Sequence, residues 1–165
     1  MRILGVDPGT HHFGYGVIET DGREIESRVC GVIEGGSSKE IGERLHKIHL
    51  ELVTVVNSWE PDHFALEEPF VAPRRGAKSA IAVGQAQAIA LMIAASCQIP
   101  VHRYFPSQVK SAIANYGAGS NAQLQRAVQL VLGLGTETLS EDASDALAVA
   151  LCHIQQWQLR ERVPQ

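Results

Sequence analysis

Marks of secretion, membrane insertion and disulfide cross-linking are missing from this sequence. Three cysteines occur in 165 residues, Cys30, Cys97 and Cys152, and no two of them form a CxxC pair. An odd set in apolar surroundings reads as reduced core thiols of a cytoplasmic protein, with no assigned chemistry. The N-terminus has neither the basic start nor the apolar stretch of a secretory leader. The longest unbroken apolar run, Ala88 to Ala95, falls far short of the roughly 20 residues that span a bilayer. Positive charge is not in excess either: 14 Lys and Arg stand against 18 Asp and Glu, a formal net charge of −4. Taken alone, that balance argues against a polyanionic partner. Acids gathered around a metal would count toward the same total, however, and a local basic cluster, Arg74, Arg75 and Lys78, follows a proline-rich turn. Internal repeats, low-complexity tracts and linkers are absent too, which implies one domain over 1–165 with a short C-terminal tail from about residue 161.

What is present begins at the N-terminus, in "ILGVDPGTHHFGYGVIE". Ile3 to Val6 reads as a buried strand, Pro8-Gly9 as turn punctuation, and Phe13 to Ile18 as a second strand returning antiparallel. "EIESRVCGVIE" makes a third strand after a turn at Gly22. From Ser37 the apolar period lengthens to three or four, through Ile41, Leu45, Ile48, Leu52, Val55 and Trp59, with Ser37 and Glu40 matching a capping box. Pro61 closes that helix and "HFALEEP" supplies a fourth strand. Ala77 to Cys97 is an Ala-rich helix, "PVHRY" a further strand, and Pro106 suits the first turn of the next helix. Ser120 with Gln123 makes a capping box for Asn121 to Leu132, and a last helix covers about Glu141 to Arg160. Three meandering strands followed by alternating helices and strands give an α/β fold, a mixed sheet with helices on both faces.

Four acids stand out by position. Asp7 ends the first strand, Glu67 ends the fourth, and Asp142 and Asp145 sit three apart on one face of the last helix's first turn. That face continues through Ala146, Leu147, Val149, Ala150 and Leu151, so it runs into the core. Glu68 is adjacent to Glu67 on a strand, and its side chain is expected on the opposite face, outside the site. Carboxylates brought within a few ångströms cannot all stay ionised without a cation. Oxygen-only ligation suits Mg²⁺ or Mn²⁺ rather than Zn²⁺. Two such ions roughly 4 Å apart can activate a water and stabilise the leaving oxygen in phosphodiester cleavage. For Asp142, dipole stabilisation of the helix N-terminus is the competing reading.

"GVDPGTHHFGYGVI", "ALEEPF", "VGQAQ", "SQVK" and "DASDALAVALCH" occur in the order and spacing of the RuvC family, and over nearly its whole length the sequence resembles these bacterial Holliday-junction resolvases. The resemblance implies a ribonuclease-H-like fold and a homodimeric endonuclease that places paired nicks in four-way junction DNA. It also implies work alongside the RuvA/RuvB branch-migration complex. By the match, Asp7, Glu67, Asp142 and Asp145 are the metal ligands, with Mg²⁺ or Mn²⁺ as cofactor and two ions per site. Phe70 matches an aromatic pushed into the junction, and Lys110 a lysine beside the scissile phosphate. Arg74, Arg75 and Lys78 join Phe70 as expected DNA contacts, since aromatic and basic residues in one loop suit stacking and phosphate contact together. The sequence departs from the family at "GSNAQ", where Asn121 occupies a position that relatives fill with a basic residue. His11 and His12 follow the first turn, within reach of the site or of DNA, and a solvated pair is the favoured reading.

Competing readings are a YqgF-type nuclease acting on RNA, which shares the opening Asp-x-Gly turn, and a junction-binding module without activity. "GVDPGT" also resembles the first phosphate turn of actin-like ATPases, but a second domain and a second glycine-rich phosphate loop are lacking. Symmetry calls for two chains, because one active site per chain must cut two opposed strands. A stripe of Ala80, Gly84, Ala88 and Leu91 on the Ala-rich helix is the expected meeting surface.

Overall fold

In the computed structural model, residues 1–68, 77–114, 120–135 and 139–161 are described. Five strands form one sheet: β1 (Arg2–Asp7), β2 (His12–Thr20), β3 (Ile25–Glu34), β4 (His63–Glu67) and β5 (Val101–Tyr104). Five helices complete the chain: α1 (Ile41–Trp59), α2 (Ala77–Ser96), α3 (Pro106–Ala114), α4 (Asn121–Val131) and α5 (Glu141–Glu161). The spatial order is β3-β2-β1-β4-β5. The first three strands pair antiparallel, as adjacent hairpin strands do, while β4 and β5 join parallel beside β1 after helical crossovers. The mixed sheet expected from the sequence is therefore present.

Strand alternation sorts the core into two layers. Leu4, Val6, Phe64 and Leu66 face α1 and α2, with Ile48, Leu52, Ala90 and Ile93 packed on them. Ile3, Ala65 and Tyr104 face α3, α4 and α5, meeting Val109, Leu124, Val128 and Leu147. Helices thus cover both faces. By length and composition α2 could cross a membrane. Here its inner side, Ala86, Gln87, Ala90, Ile93 and Ala94, is buried in the protein, and Ile81, Gly84, Ala88 and Met92 remain exposed on its outer side.

Two local expectations are corrected. The capping box at Ser37 and Glu40 does not form: α1 starts at Ile41, and its N-cap, Glu40, makes no side-chain cap bond. Ser38, one residue further on, takes over the local bonding, its hydroxyl accepting from the Glu40 N–H at 3.1 Å and donating to the Glu43 carboxylate. The expected box at Ser120 and Gln123 is complete. Cysteine burial is also uneven. Cys152 is buried in α5, Cys30 is half-buried on the edge strand β3, and Cys97 is exposed because it lies in the turn just past α2.

How closely α5 approaches the sheet is set by glycine. Gly5 on β1 stands opposite Gly16 on β2, and Asp7 opposite Gly14. A Cβ at Gly5 would lie 2.0 Å from the Ala146 carbonyl oxygen, and one at Gly14 would lie 2.1 Å from that of Asp142. Both obstacles are helix backbone, which no rotamer change removes. Gly5→Ala and Gly14→Ala are therefore expected to destabilise the protein by about 1–3 kcal/mol or more, in the range of overpacked cores. Gly42→Ala, where a Cβ meets nothing within 4 Å, should be neutral or stabilise by up to about 1 kcal/mol through helix propensity. Urea unfolding of the three variants checks this, and equal stabilities would refute the seating of α5 on glycine.

Candidate active site

The parallel pairing of β1 with β4 runs through Val6 and Leu66, so Asp7 and Glu67 emerge side by side at the C-terminal ends of central strands. Open parallel sheets place their sites at such strand ends. Ile3, Gly5 and Asp7 share one face, as do Ala65 and Glu67, and this is the face on which α5 lies. The first turn of α5 passes over Gly14, which is paired with Asp7, and so delivers Asp142 and Asp145 to the same place.

The result is a cleft of about 590 Å³ lined by all four acids. Lys110 from α3, Pro8, Gly9 and His12 from the first turn and the start of β2, and Ser79, Ala80 and Val83 from α2 complete much of its wall. A Cβ on Gly9 would sit 2.2 Å from the His12 carbonyl oxygen, so this tight turn depends on the missing side chain. Glu68 stays outside, as expected. Its carboxylate pairs with Arg103 at 3.0 Å, and Arg103 stands beside Leu66 on the other face of the sheet.

Burial is the main cause that pushes the Asp145 carboxyl up to about 6, and the neighbouring carboxylates Glu67, Glu141 and Asp142 push the same way. Lys110 opposes them. Carboxylates crowded at one cleft are chemically matched to divalent cations, which relieve the repulsion between them.

Two features were not visible as site residues in the sequence. Glu141, directly before Asp142, also lines the cleft. Asn121, read only as a lost positive charge, lines it too and donates from its amide to Glu141. The signal available for Glu141 was its place in the first turn of α5, where an acid is ordinarily a dipole partner. Both histidines of the first turn are exposed. His12 lies 3.3 Å from Glu34 and reaches the cleft wall. Lys78 is exposed at the start of α2, next to Ser79. Phe70, Arg74 and Arg75 lie outside the described residues.

Comparison with known proteins gives a consistent set of likenesses. The family model described as crossover junction endodeoxyribonuclease RuvC matches residues 3–153. The crossover junction endodeoxyribonuclease RuvC of Syntrophomonas wolfei is 40% identical over 96% of this chain and 91% of its own. That of Dehalococcoides mccartyi is 43% identical over 93% and 90%. Among solved structures, T. thermophilus RuvC in complex with Holliday junction substrate superposes with a TM-score of 0.88 at 30% identity, covering 97% of this chain and 96% of that one.

The charge crowding at Asp145 yields a test that needs no substrate. A carboxyl with a folded-state value near 6 and an unfolded value of about 4 contributes stability that is fully present below about pH 4 and lost as pH rises through about 6. In EDTA, Asp145→Asn should therefore melt above wild type at pH 8, with the gap closing toward pH 5. Mg²⁺ should raise the wild-type melting temperature and move the variant much less. A variant no more stable than wild type at pH 8 would contradict the crowding.

Proposed function

Because the chain belongs to the RuvC family of crossover junction endodeoxyribonucleases, we propose that Asp7, Glu67, Asp142 and Asp145 are the metal ligands with which it cuts four-way DNA junctions. The chain is a metal-dependent endonuclease of the α/β, ribonuclease-H-like kind, and its substrate is the Holliday junction. The observation that carries the assignment of the site is the convergence of four carboxylates from β1, β4 and α5 on one cleft.

Two Mg²⁺ or Mn²⁺ ions held by these oxygens would supply an activated water and a stabilised leaving oxygen for phosphodiester hydrolysis. The protein's own groups do the rest. Lys110 lines the same cleft and acts electrostatically on Asp145, a place from which its ammonium would stabilise charge that grows on the scissile phosphate. Asn121 fixes Glu141 at the rim. Val83, Val109 and Leu124 give part of the wall an apolar lining. Lys78, Arg74 and Arg75 serve as backbone contacts, and Phe70, just beyond Glu67, as the stacking residue that enters the opened junction.

A homodimer follows from the need to nick two opposed strands. The outer side of α2 is suited to it: Ile81 and Met92 are each 61% exposed, and between them Gly84 and Ala88 leave room for a second helix. This stripe continues directly from the cleft-lining Ser79 and Ala80, so the same helix would set the distance between two sites. Cooperation with the RuvA/RuvB branch-migration complex and a cytoplasmic location complete the assignment.

Cleavage of a four-way junction, a matched duplex and an RNA hairpin, with Mg²⁺ and then with EDTA, tests the function. Cutting confined to the junction and abolished by EDTA is expected. Asp7→Asn and Glu67→Gln should each remove cleavage while junction binding survives, since affinity comes mainly from phosphate contacts. Lys110→Ala should slow single-turnover cleavage more than it weakens binding. Normal turnover by Asp7→Asn would overturn the ligand assignment. Gly84→Glu should convert dimer to monomer and linear product to single nicks on a junction extruded from supercoiled plasmid; a wild-type monomer making paired nicks would refute the dimer.

A further inference from the structure

Three histidines meet at the other end of the face that carries the active site. His63 opens β4, His102 lies on β5, and His153 lies on α5. One ring nitrogen from each falls within 4.8 Å of the other two. His63 and Glu67 are four residues apart on one strand, and Asp145 and His153 eight apart on one helix. The cluster is therefore about 12–13 Å from the acids, by the rise of strand and helix.

We propose that His63, His102 and His153 form a second metal site, built for one zinc-type divalent ion and independent of the carboxylate centre. Three observations carry this. First, the Nε2 atom of His102 is buried without a hydrogen-bond partner among the described residues, although a buried polar atom left unpaired costs about 1–3 kcal/mol. An ion among the three rings would satisfy it. Second, Nδ1 of His153 lies 2.6 Å from the Tyr104 hydroxyl. That is the outer contact by which a metal-binding imidazole is fixed in one tautomer and turned toward its ion. Third, burial lowers the proton affinity of all three rings. Neutral rings leave a lone pair available at neutral pH, which ligation requires.

Geometry and field are compatible with an ion after a small adjustment. Nδ1 of His63 and Nε2 of His153 are 2.7 Å apart and share a hydrogen bond, which an ion would replace. Two ligands on a tetrahedral zinc at 2.0–2.1 Å stand about 3.4 Å apart, so the rings must turn outward by a few tenths of an ångström each. Asp62 provides the nearest acidic field at His63, and Arg160 an opposing one at His102 and His153. An all-nitrogen set prefers Zn²⁺ to Mg²⁺, so the two centres would not compete for the same ion. Because its ligands come from β4, β5 and α5, an ion here would pin the helix that carries Asp142 and Asp145 to the strand that carries Glu67.

The test is titration of the full chain with Zn²⁺ in excess Mg²⁺, followed by calorimetry, with Co²⁺ as the spectroscopic probe. One equivalent is expected in wild type and in Asp7→Asn, with visible Co²⁺ bands of four-coordinate character and a raised melting temperature. His102→Ala and His63→Ala, both at incompletely buried positions, should lose at least tenfold in affinity, and circular dichroism verifies that they fold. Tyr104→Phe should lose about 10–100-fold, as outer-contact losses do. Zn²⁺ binding that is absent in wild type, unchanged in both histidine variants, or lost in Asp7→Asn would overturn the proposal.

Discussion

The close approach of α5 to the β1–β2 hairpin is the contact on which the active site depends. Helices usually rest on a sheet through side chains, and at that separation the first turn of α5 would stand away from Asp7. Gly5 and Gly14 remove the intervening atoms, so the carbonyls of Ala146 and Asp142 come to where a Cβ would otherwise sit. Because Gly14 is the pairing partner of Asp7, one contact both seats the helix and brings Asp142 and Asp145 to Asp7. The parallel pairing of β1 and β4 adds Glu67. The cost is electrostatic, and it is visible in the Asp145 carboxyl, pushed up to about 6 by burial and by Glu67, Glu141 and Asp142. The fold thus holds together charges that would separate if they could, which is the condition for binding divalent cations tightly.

Much of this was legible in the chain itself. The periods of α1 and α5, the strand pattern of β1 to β3 and the capping box at Ser120 are local signals, and each element appears where its signal lies. The meeting of the four acids in one cleft was legible only in part, since Asp7 in the sequence alone suits a turn-capping role about as well as a place in a site. What the chain did not disclose is spatial. The alternation in "FGYGV" marks a strand, but only the packed structure reveals that its glycines are the seat of a helix. Glu141 and Asn121 are 20 residues apart and come together only when α4 and α5 do. The histidines at 63, 102 and 153 have no spacing that resembles a ligand motif. Ser37 failed as a cap for a local reason: two candidate serines stand side by side, and the geometry after Gly36 favours Ser38.

Helix α5 therefore has two ends with different chemistry. Its first turn carries carboxylates into an open cleft, and its later turns carry an imidazole and Trp157 against β4 and β5. Between them lies a run from Ala146 to Ile154 that is almost wholly buried, so the helix cannot shift at one end without disturbing the other. On the opposite side of the sheet, α1 and α2 complete the core, and α2 turns an apolar stripe outward beside the cleft.

The central claim is that the seating of α5 assembles a two-ion carboxylate centre. Crystals grown with Mn²⁺ and measured for anomalous scattering test it most directly. Two manganese peaks roughly 4 Å apart, bounded by the carboxylate oxygens of Asp7, Glu67, Asp142 and Asp145, are the result expected. Manganese bound elsewhere with these four side chains unliganded, or a centre from which Asp142 and Asp145 are both absent, would contradict it.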